Sequence, residues 1–307
     1  MNKKVLISTS SFGKVSNKPL NMLTSEGYDV IKNPYGRTLT KEEVINLAGD
    51  CIGVVAGLEP WDSDVISSCK QIKVISRVGV GVDNVDIEFA KESGIAVSNT
   101  PYGPTRAVSE ITLALTLALL RKIPQSHFDM KNGIWKKETG NLLLGKTVGI
   151  VGLGKIGKTT ATLFRAMGNR VLAYDPYFNN EWAKENLVEF SDLMHLLNNS
   201  DIVILHLPGS KDKKPILSKM EIAQLKPDAF LINVSRGGVV DENALFNALK
   251  SGKLKGAAID VFSVEPYQGP LIELENVILT PHIGSYAAES KLNMEIDAVN
   301  NLIDALR

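Results

Sequence analysis

Short apolar runs rich in Val and Ile alternate with longer amphipathic stretches in the first third of the chain. The stretches at 41–48 and 87–93 carry apolar residues at helical spacing. The short runs predict strands at residues 5–8, 29–32, 53–56, 74–76 and 96–98. Because strands that alternate with helices need crossover connections, the pattern predicts a parallel sheet.

A second series of apolar runs follows a predicted long helix at 108–121. These runs are almost continuously apolar, which is typical of parallel strands buried on both faces of a sheet. They predict strands at residues 147–151, 170–174, 202–206, 230–234, 257–259 and 277–279. A last helix is predicted at 287–305. We therefore predict an α/β fold with two doubly wound parallel-sheet domains, divided near residue 100.

Length, charge and cysteine content indicate how many domains the chain has and which partners and cross-links to expect. A chain of 307 residues suits two domains of roughly 100–200 residues each. Its 34 basic and 34 acidic residues give a formal net charge of zero, so we expect no nucleic-acid partner. The two cysteines, Cys51 and Cys69, are too few for a disulfide framework and are predicted to be reduced core thiols. We predict no metal site.

The apolar runs are too short to enter a membrane. The longest, at 111–120, has about half of the roughly 20 residues that a spanning helix needs. The start of the chain has few apolar residues after its basic tip, whereas a signal peptide needs a run of about 7–15. We therefore expect a cytoplasmic protein with no membrane partner.

A glycine-rich turn follows the first strand of the second series directly. Gly152, Gly154 and Gly157 form a G-x-G-x-x-G pattern that opens a helix predicted at 158–167. Asp175 follows the next strand, 18 residues beyond Gly157. In this fingerprint the glycines let the backbone approach a pyrophosphate, and the acid accepts hydrogen bonds from ribose hydroxyls. No arginine follows Asp175, so the pattern favours NAD over NADP.

Polar side chains follow several strands of the second series. Arg236, Asp260, Glu265 and His282 all come after the carboxyl ends of predicted strands, where ligands of open α/β sheets bind. Hydride transfer to a carbonyl needs a proton donor, and histidine titrates near neutral pH. A carboxylate beside an imidazole stabilises its cation, and a guanidinium can grip a substrate carboxylate. The set predicts an oxidoreductase site.

The same residues also fit simpler roles. Arg236 suits a solvated turn, Glu265 suits a turn before a proline, and spacing alone cannot pair Glu265 with His282. His206 ends a predicted strand and fits either a place near the cofactor or a structural role. Trp135 fits either a dimer contact or core packing. Two further histidines in helix-like stretches are predicted to be structural, His127 and His195.

Several of these motifs also carry a family resemblance. The matching stretches, in order, are residues 77–86, 144–157, 233–238, 260–262, 265–266 and 280–285. In them the chain resembles the D-isomer-specific 2-hydroxyacid dehydrogenases. The resemblance implies a Rossmann NAD-binding domain, at 101–286, inserted into a flavodoxin-like substrate domain. The substrate domain would comprise 1–100 plus 287–307, and the protein would be a homodimer.

The resemblance also implies roles for individual residues. His282 matches the general acid/base, Glu265 its carboxylate partner and Arg236 the anchor of the substrate carboxylate. Asp260 matches the residue that faces the nicotinamide carboxamide. The implied cofactor contacts are Gly152, Gly154, Lys155, Ile156, Gly157, Asp175, Leu207, Pro208, Val234, Ser235, Asp260, Gly284 and Ser285. The implied substrate loop is Arg77, Val78, Gly79, Val80 and Gly81, whose backbone N–H groups can form an anion nest.

The implied reaction is oxidation of a small D-2-hydroxy acid or reduction of the 2-oxo acid. Arg77 matches a residue that meets a substrate phosphate, which favours 3-phosphoglycerate and serine biosynthesis. Activity on hydroxypyruvate, glyoxylate or D-lactate remains open, as does an NAD-sensing corepressor-like binding role.

The chain departs from the family pattern at two places. Residues 209–214 replace a threonine-containing loop, and Val80 is apolar where many members carry a hydroxyl. The chain stops at Arg307, so we expect no regulatory domain and no serine feedback through one.

Overall fold

The structure, a computed structural model, describes residues 3–209 and 214–307 and divides into two compact units. The first unit comprises Met1–Ala107 and Ser285–Arg307, and the second comprises Val108–Gly284. The first unit is therefore built from both ends of the chain. Of the departing stretch at 209–214, residues 210–213 lie outside the described residues.

Strands and helices alternate through both units. The strands are β1 (Lys4–Ile7), β2 (Asp29–Lys32), β3 (Gly53–Ala56), β4 (Val74–Arg77), β5 (Ala96–Ser98), β6 (Thr147–Val151), β7 (Arg170–Tyr174), β8 (Val188–Phe190), β9 (Ile202–Leu205), β10 (Ala229–Asn233), β11 (Leu254–Ile259) and β12 (Val277–Leu279).

The helices lie between these strands and after the last of them. They are α1 (Lys18–Ser25), α2 (Lys41–Ala48), α3 (Ser63–Ser68), α4 (Ile87–Glu92), α5 (Pro104–Leu120), α6 (Ile123–Lys131), α7 (Lys155–Ala166), α8 (Asn180–Glu185), α9 (Leu193–Asn199), α10 (Lys219–Gln224), α11 (Glu242–Lys250) and α12 (Ala288–Leu306), with a 3₁₀ turn at Pro270–Glu273. Within the described residues, no helix combines the length and apolar character needed to cross a membrane.

The sheet of the first unit has the strand order β2-β1-β3-β4-β5, with every neighbouring pair parallel. This is the flavodoxin-like order. Successive side chains of a strand point to opposite faces, so Leu6 packs with Trp61 on one face. Val5 and Ile7 pack on the other face with Leu302 of α12. Helices therefore cover both faces of the sheet.

Cys51 and Cys69 are buried free thiols in the apolar cluster of the first unit, as predicted. Burial raises the pKa of each thiol to about 11. Both side chains therefore stay protonated at neutral pH.

The sheet of the second unit has the order β12-β11-β10-β9-β6-β7-β8, again with parallel neighbours. Apart from the extra edge strand β12, this is the Rossmann order, with its switch point between β6 and β9. Ile204 packs with Leu119 of α5 on one face, and Leu205 packs with Leu245 of α11 on the other. The fold prediction of two doubly wound parallel sheets is confirmed.

The differences from the predicted elements are local. Strand β8 was not predicted, because its central residue, Glu189, is charged. Helix α5 begins at Pro104, four residues earlier than predicted, since proline suits the first turn of a helix. Helix α7 begins at Lys155 because Gly154 serves as its N-cap.

Candidate active site

The glycine turn joins β6 to α7 in very little space. A Cβ atom at Gly152 would lie 2.3 Å from the carbonyl oxygen of His206, and one at Gly157 would lie 2.0 Å from the Gly152 carbonyl oxygen. A Cβ at Gly154 would meet nothing within 4 Å. Gly154, the N-cap of α7, supplies no side-chain cap, and there is room above its Cα. These features fit a bound dinucleotide, whose pyrophosphate would lie at this helix start.

The Asp175 carboxylate is hydrogen-bonded to the same turn. Its Oδ2 accepts a hydrogen bond of 2.7 Å from the backbone N–H of Leu153, and its Oδ1 accepts one of 2.8 Å from Tyr177. The carboxylate that follows β7 is therefore fixed beside the glycine turn. This is where the ribose of a dinucleotide bound at the turn would need an acceptor.

The other predicted cofactor contacts follow strand ends or begin a helix. Lys155 and Ile156 are the first two residues of α7. The remaining members lie just beyond β9, β10 and β12, namely Leu207, Pro208, Val234, Ser235, Gly284 and Ser285.

His282 and Glu265 are in direct contact. The imidazole Nδ1 lies 2.9 Å from Glu265 Oε2, and about one third of each side chain is exposed. Because Nδ1 is held by the carboxylate, Nε2 is the ring nitrogen left for another partner. The backbone N–H of Phe262 donates to the other oxygen, Glu265 Oε1, at 3.1 Å.

These contacts decide the charge of Glu265. Burial opposes its ionisation and is the largest single influence on it. Hydrogen bonds from His282 and the Phe262 N–H, with the positive charges of His282 and Arg236, outweigh burial and hold the pKa of Glu265 below its ordinary value. The carboxylate is therefore ionised at neutral pH.

Arg236 lies close enough to Glu265 for its charge to act there. Its Nη1 donates to the Ser235 carbonyl at 2.7 Å, and the turn is tied back to Asn233 by the Ser235 hydroxyl at 2.7 Å. A Cβ at Gly237 would lie 1.8 Å from the Phe262 carbonyl oxygen, so the Arg236 turn abuts the segment that leads to Glu265. The second unit thus brings together the guanidinium, carboxylate and imidazole.

Asp260 holds the loop that carries His282 through hydrogen bonds on both sides of that residue. This carboxylate is fully buried, and it accepts hydrogen bonds from the Thr280 hydroxyl at 2.6 Å and from the N–H groups of Ile283 and Gly284 at 2.8 Å. Burial is the main influence on its pKa and raises it above the ordinary value. The sequence did not suggest this supporting contact, because it depends on how the loop after β12 folds back.

His206 follows β9. Burial lowers its pKa to about 3, so its ring is neutral at neutral pH. Its Nε2 has no hydrogen-bond partner in the part of the chain that the structure describes. His127 and His195 are exposed on α6 and α9, and their structural roles stay a prediction.

The predicted substrate loop follows β4 in the first unit. Arg77 is only 8% exposed, and its guanidinium folds onto the Val78 carbonyl. The Gly79 N–H donates to the Thr100 hydroxyl at 2.7 Å. Within residues 3–209 and 214–307, the N–H groups of Val80 and Gly81 donate to no protein acceptor. Two adjacent unused N–H groups suit an anion.

A buried acid that the sequence did not suggest shapes a second loop of the first unit. Glu59 is 1% exposed and accepts hydrogen bonds from the Ser8 hydroxyl, the Gly57 N–H at 2.9 Å and the Trp61 indole N–H at 3.0 Å. The Asn84 amide donates to the Glu59 carbonyl at 2.6 Å. A glutamate three residues beyond the end of the buried strand β3 is the only signal the sequence offers.

Residues 113–284 match the sequence model of the NAD-binding domain of D-isomer-specific 2-hydroxyacid dehydrogenases. The chain is 40% identical to D-3-phosphoglycerate dehydrogenase of Archaeoglobus fulgidus, over 82% of this chain and 48% of the relative. It is 42% identical to the enzyme of the same name from Methanocaldococcus jannaschii, over 82% and 49%. The chain thus spans about half the length of these relatives.

Other relatives match along nearly their whole length. Hydroxypyruvate reductase of Thermotoga maritima is 37% identical, over 87% of this chain and 89% of the relative. The crystal structure of the TT0316 protein from Thermus thermophilus superposes with a TM-score of 0.89 at 34% identity, over 99% of this chain and 96% of the other.

A glyoxylate reductase from Paecilomyes thermophila superposes with a TM-score of 0.88 at 27% identity, over 100% of this chain and 96% of the other. The second unit carries the family's NAD-binding domain, and the sheet order of the first unit is flavodoxin-like. On these grounds the chain belongs to the D-isomer-specific 2-hydroxyacid dehydrogenase family.

Proposed function

We propose that this protein is an NAD-dependent oxidoreductase that interconverts a small D-2-hydroxy acid and the corresponding 2-oxo acid. The observation that carries the proposal is the 2.9 Å contact between His282 Nδ1 and an ionised Glu265, beside the charge of Arg236. An imidazole held in this way can pass a proton at Nε2 and can bear positive charge while it does so. The dinucleotide turn belongs to the same unit.

The reaction needs three tasks from the protein. During oxidation His282 Nε2 takes the hydroxyl proton of the substrate. NAD, held by the glycine turn and Asp175, would supply the acceptor for the hydride from C2. Glu265 stabilises the resulting imidazolium, and Arg236 binds the substrate carboxylate through paired hydrogen bonds. During reduction His282 returns the proton to the developing alkoxide.

The first substrate we propose is 3-phosphoglycerate, whose oxidation to 3-phosphohydroxypyruvate belongs to serine biosynthesis. Relatives that are 40–42% identical bear the name D-3-phosphoglycerate dehydrogenase. The unused N–H groups of Val80 and Gly81 suit the substrate's anionic groups. We assign the whole loop from Arg77 to Gly81 to substrate binding.

Hydroxypyruvate reduction is the second candidate. The Thermotoga hydroxypyruvate reductase is matched over 89% of its length. In addition, Arg77 is only 8% exposed, which favours a substrate without a phosphate.

We propose that the working form is a cytoplasmic homodimer. Trp135 is 80% exposed, which contradicts the core-packing alternative and leaves the dimer contact as the prediction for this residue. Phe128 and Ile134, close to Trp135 in sequence, are also exposed, and we propose that a second copy covers these apolar side chains. Sedimentation velocity should show a dimer for the natural chain and a monomer for Trp135→Glu. A monomeric natural chain would rule the homodimer out.

The function is tested by turnover of NADH with phosphohydroxypyruvate, hydroxypyruvate, glyoxylate and pyruvate. We expect the highest kcat/KM with phosphohydroxypyruvate, and a fall of about 10²–10⁴-fold for His282→Ala, the range of a lost general acid. His195→Ala, at an exposed helical position, is the matched control and should keep its activity. NADH binding without turnover of any of these acids would instead support a binding protein.

A further inference from the structure

Glu242 reaches from the first turn of α11 to the segment that carries Glu265. Its Oε1 accepts two hydrogen bonds from Ser263, one from the backbone N–H and one from the hydroxyl, each of 2.7 Å. Asp241 caps the same helix through the Ala244 N–H, so the start of α11 is itself fixed. Ser263 stands two residues before Glu265.

The segment from Phe262 to Glu265 forms the link to the imidazole. The Phe262 N–H donates to Glu265 Oε1 at 3.1 Å, and Glu265 Oε2 contacts His282 Nδ1 at 2.9 Å. Hydrogen bonds therefore run from Glu242 through this short segment to His282. Every member belongs to the second unit.

Packing holds one end of this segment but not its middle. The Phe262 ring stacks on Tyr267 with 4.3 Å between centroids, and the Phe262 carbonyl abuts Gly237. Ser263 is exposed, and Val264 is 73% exposed, so little apolar contact fixes the backbone between Phe262 and Glu265. The two hydrogen bonds to Glu242 are the polar contacts that hold Ser263.

We propose that Glu242 is a positioning residue for the Glu265–His282 pair. It fixes the peptide at Ser263 and thereby the direction in which the chain delivers the Glu265 carboxylate to Nδ1. The effect on turnover rests on the proposed role of His282 in proton transfer. The effect on the imidazole itself does not, because the contact at Nδ1 exists without a substrate.

The chain offers a matched control in Glu221. This residue lies in the first turn of α10, and one of its carboxylate oxygens likewise accepts from both the N–H and the hydroxyl of a serine, Ser218. Glu221→Ala therefore removes the same interactions and the same helix-start charge as Glu242→Ala. It does so in a capping box that does not carry Glu265.

Turnover and NADH affinity should be measured for Glu242→Ala, Glu242→Gln and Glu221→Ala. We expect Glu242→Ala to lower kcat about three- to tenfold, the size of one or two lost hydrogen bonds, with little change in NADH affinity. Glu242→Gln keeps an acceptor oxygen and should recover most of the loss. Glu221→Ala should behave as the natural protein. An equal fall for both alanine variants, or none for Glu242→Ala, would overturn the proposal.

A second measurement needs no turnover. Nitrogen-15 NMR of the imidazole rings reports which ring nitrogen bears the proton, and the chain has only four histidines to resolve. Glu242→Ala should reduce the Nδ1–H form of His282, whose signal is assigned with His282→Asn, while Glu221→Ala leaves it unchanged. An unchanged ring in Glu242→Ala would overturn the proposal. A changed ring in a protein that reduces none of the acids would support Glu242 while refuting the dehydrogenase function.

Discussion

The buried carboxylate of Asp260 holds the backbone on which His282 sits. His282 has a φ of 54°, in the left-handed region that side chains other than glycine rarely adopt. The next two N–H groups both donate to Asp260, one to each oxygen, at 2.8 Å. The unusual backbone of the proposed acid/base is therefore stabilised by a carboxylate from the end of a neighbouring strand.

Asp260→Asn should weaken this support. The asparagine amide would direct an NH₂ group at one of the N–H donors, leaving a buried donor without an acceptor. We expect the free energy of unfolding to fall by about 1–3 kcal/mol and kcat to fall with it. Urea denaturation and steady-state kinetics measure the two effects. Thr280→Val removes a single hydroxyl donor and should have a smaller effect on both, whereas an Asp260→Asn variant as stable and active as the natural protein would contradict the role.

Glu265→Gln tests the pairing with His282. Without the carboxylate the imidazolium loses its stabilising charge, so the limb of the pH profile above which reduction slows should move to lower pH. The pH dependence of kcat/KM for reduction measures this limb, with NADH affinity as the control. If the limb stays where it was, the pair has no role in setting proton transfer.

The lowered pKa of Glu265 also affects stability. A carboxylate whose pKa is lower in the folded state than in the unfolded state stabilises the fold above the unfolded value, here 4.5. That contribution is lost as the pH falls through the lower folded-state pKa. Glu265→Gln should therefore have a less steep loss of stability below about pH 4.5 than the natural protein. Parallel acid-dependence curves for the two proteins would contradict this assignment.

Asp175→Ser tests the choice of cofactor. The substitution removes a carboxylate whose charge would repel a 2′-phosphate and whose oxygens would accept hydrogen bonds from the ribose hydroxyls. It also removes the acceptor of the Leu153 N–H. We expect NADH to bind about tenfold more weakly and NADPH to bind no worse than before. Fluorescence titration with both dinucleotides gives the ratio. An unchanged NADH-to-NADPH ratio would exclude Asp175 from ribose recognition.

The two cysteines should be unreactive in the folded protein. Burial raises the pKa of Cys51 and Cys69 to about 11, so the thiolate is scarce at neutral pH and reagents have little access. Ellman's reagent should modify neither thiol quickly in the native protein and both in denaturant. Rapid modification of the native protein would show that the core of the first unit opens readily.

Hydrophobic patterning predicted most of the fold, because buried parallel strands are continuously apolar. Strand β8 escaped prediction because an edge strand can carry a charged residue such as Glu189, which pairs with Arg170 on the neighbouring strand. The Rossmann turn was predictable because its glycines and Asp175 stand at fixed distances along the chain.

The candidate site was only partly predictable. The carboxyl ends of parallel strands meet at one edge, so the sequence indicated which polar residues would gather there. The contact between Glu265 and His282 did not follow from spacing, since the two are 17 residues apart and belong to different loops. The supports at Asp260 and Glu242 depend on how those loops fold back, and short polar loops carry no hydrophobic periodicity.

The first unit is formed by two segments from opposite ends of the chain, which has a consequence for biosynthesis. One face of its sheet, which bears Val5 and Ile7, is covered by α12 through Val299 and Leu302. The ribosome synthesises that cover after every strand of the chain. A nascent chain therefore carries an incompletely covered sheet face after the second unit has been synthesised. A premature stop before Ala288 would leave that face covered by α1 alone, with exposed apolar side chains that chaperones and proteases recognise.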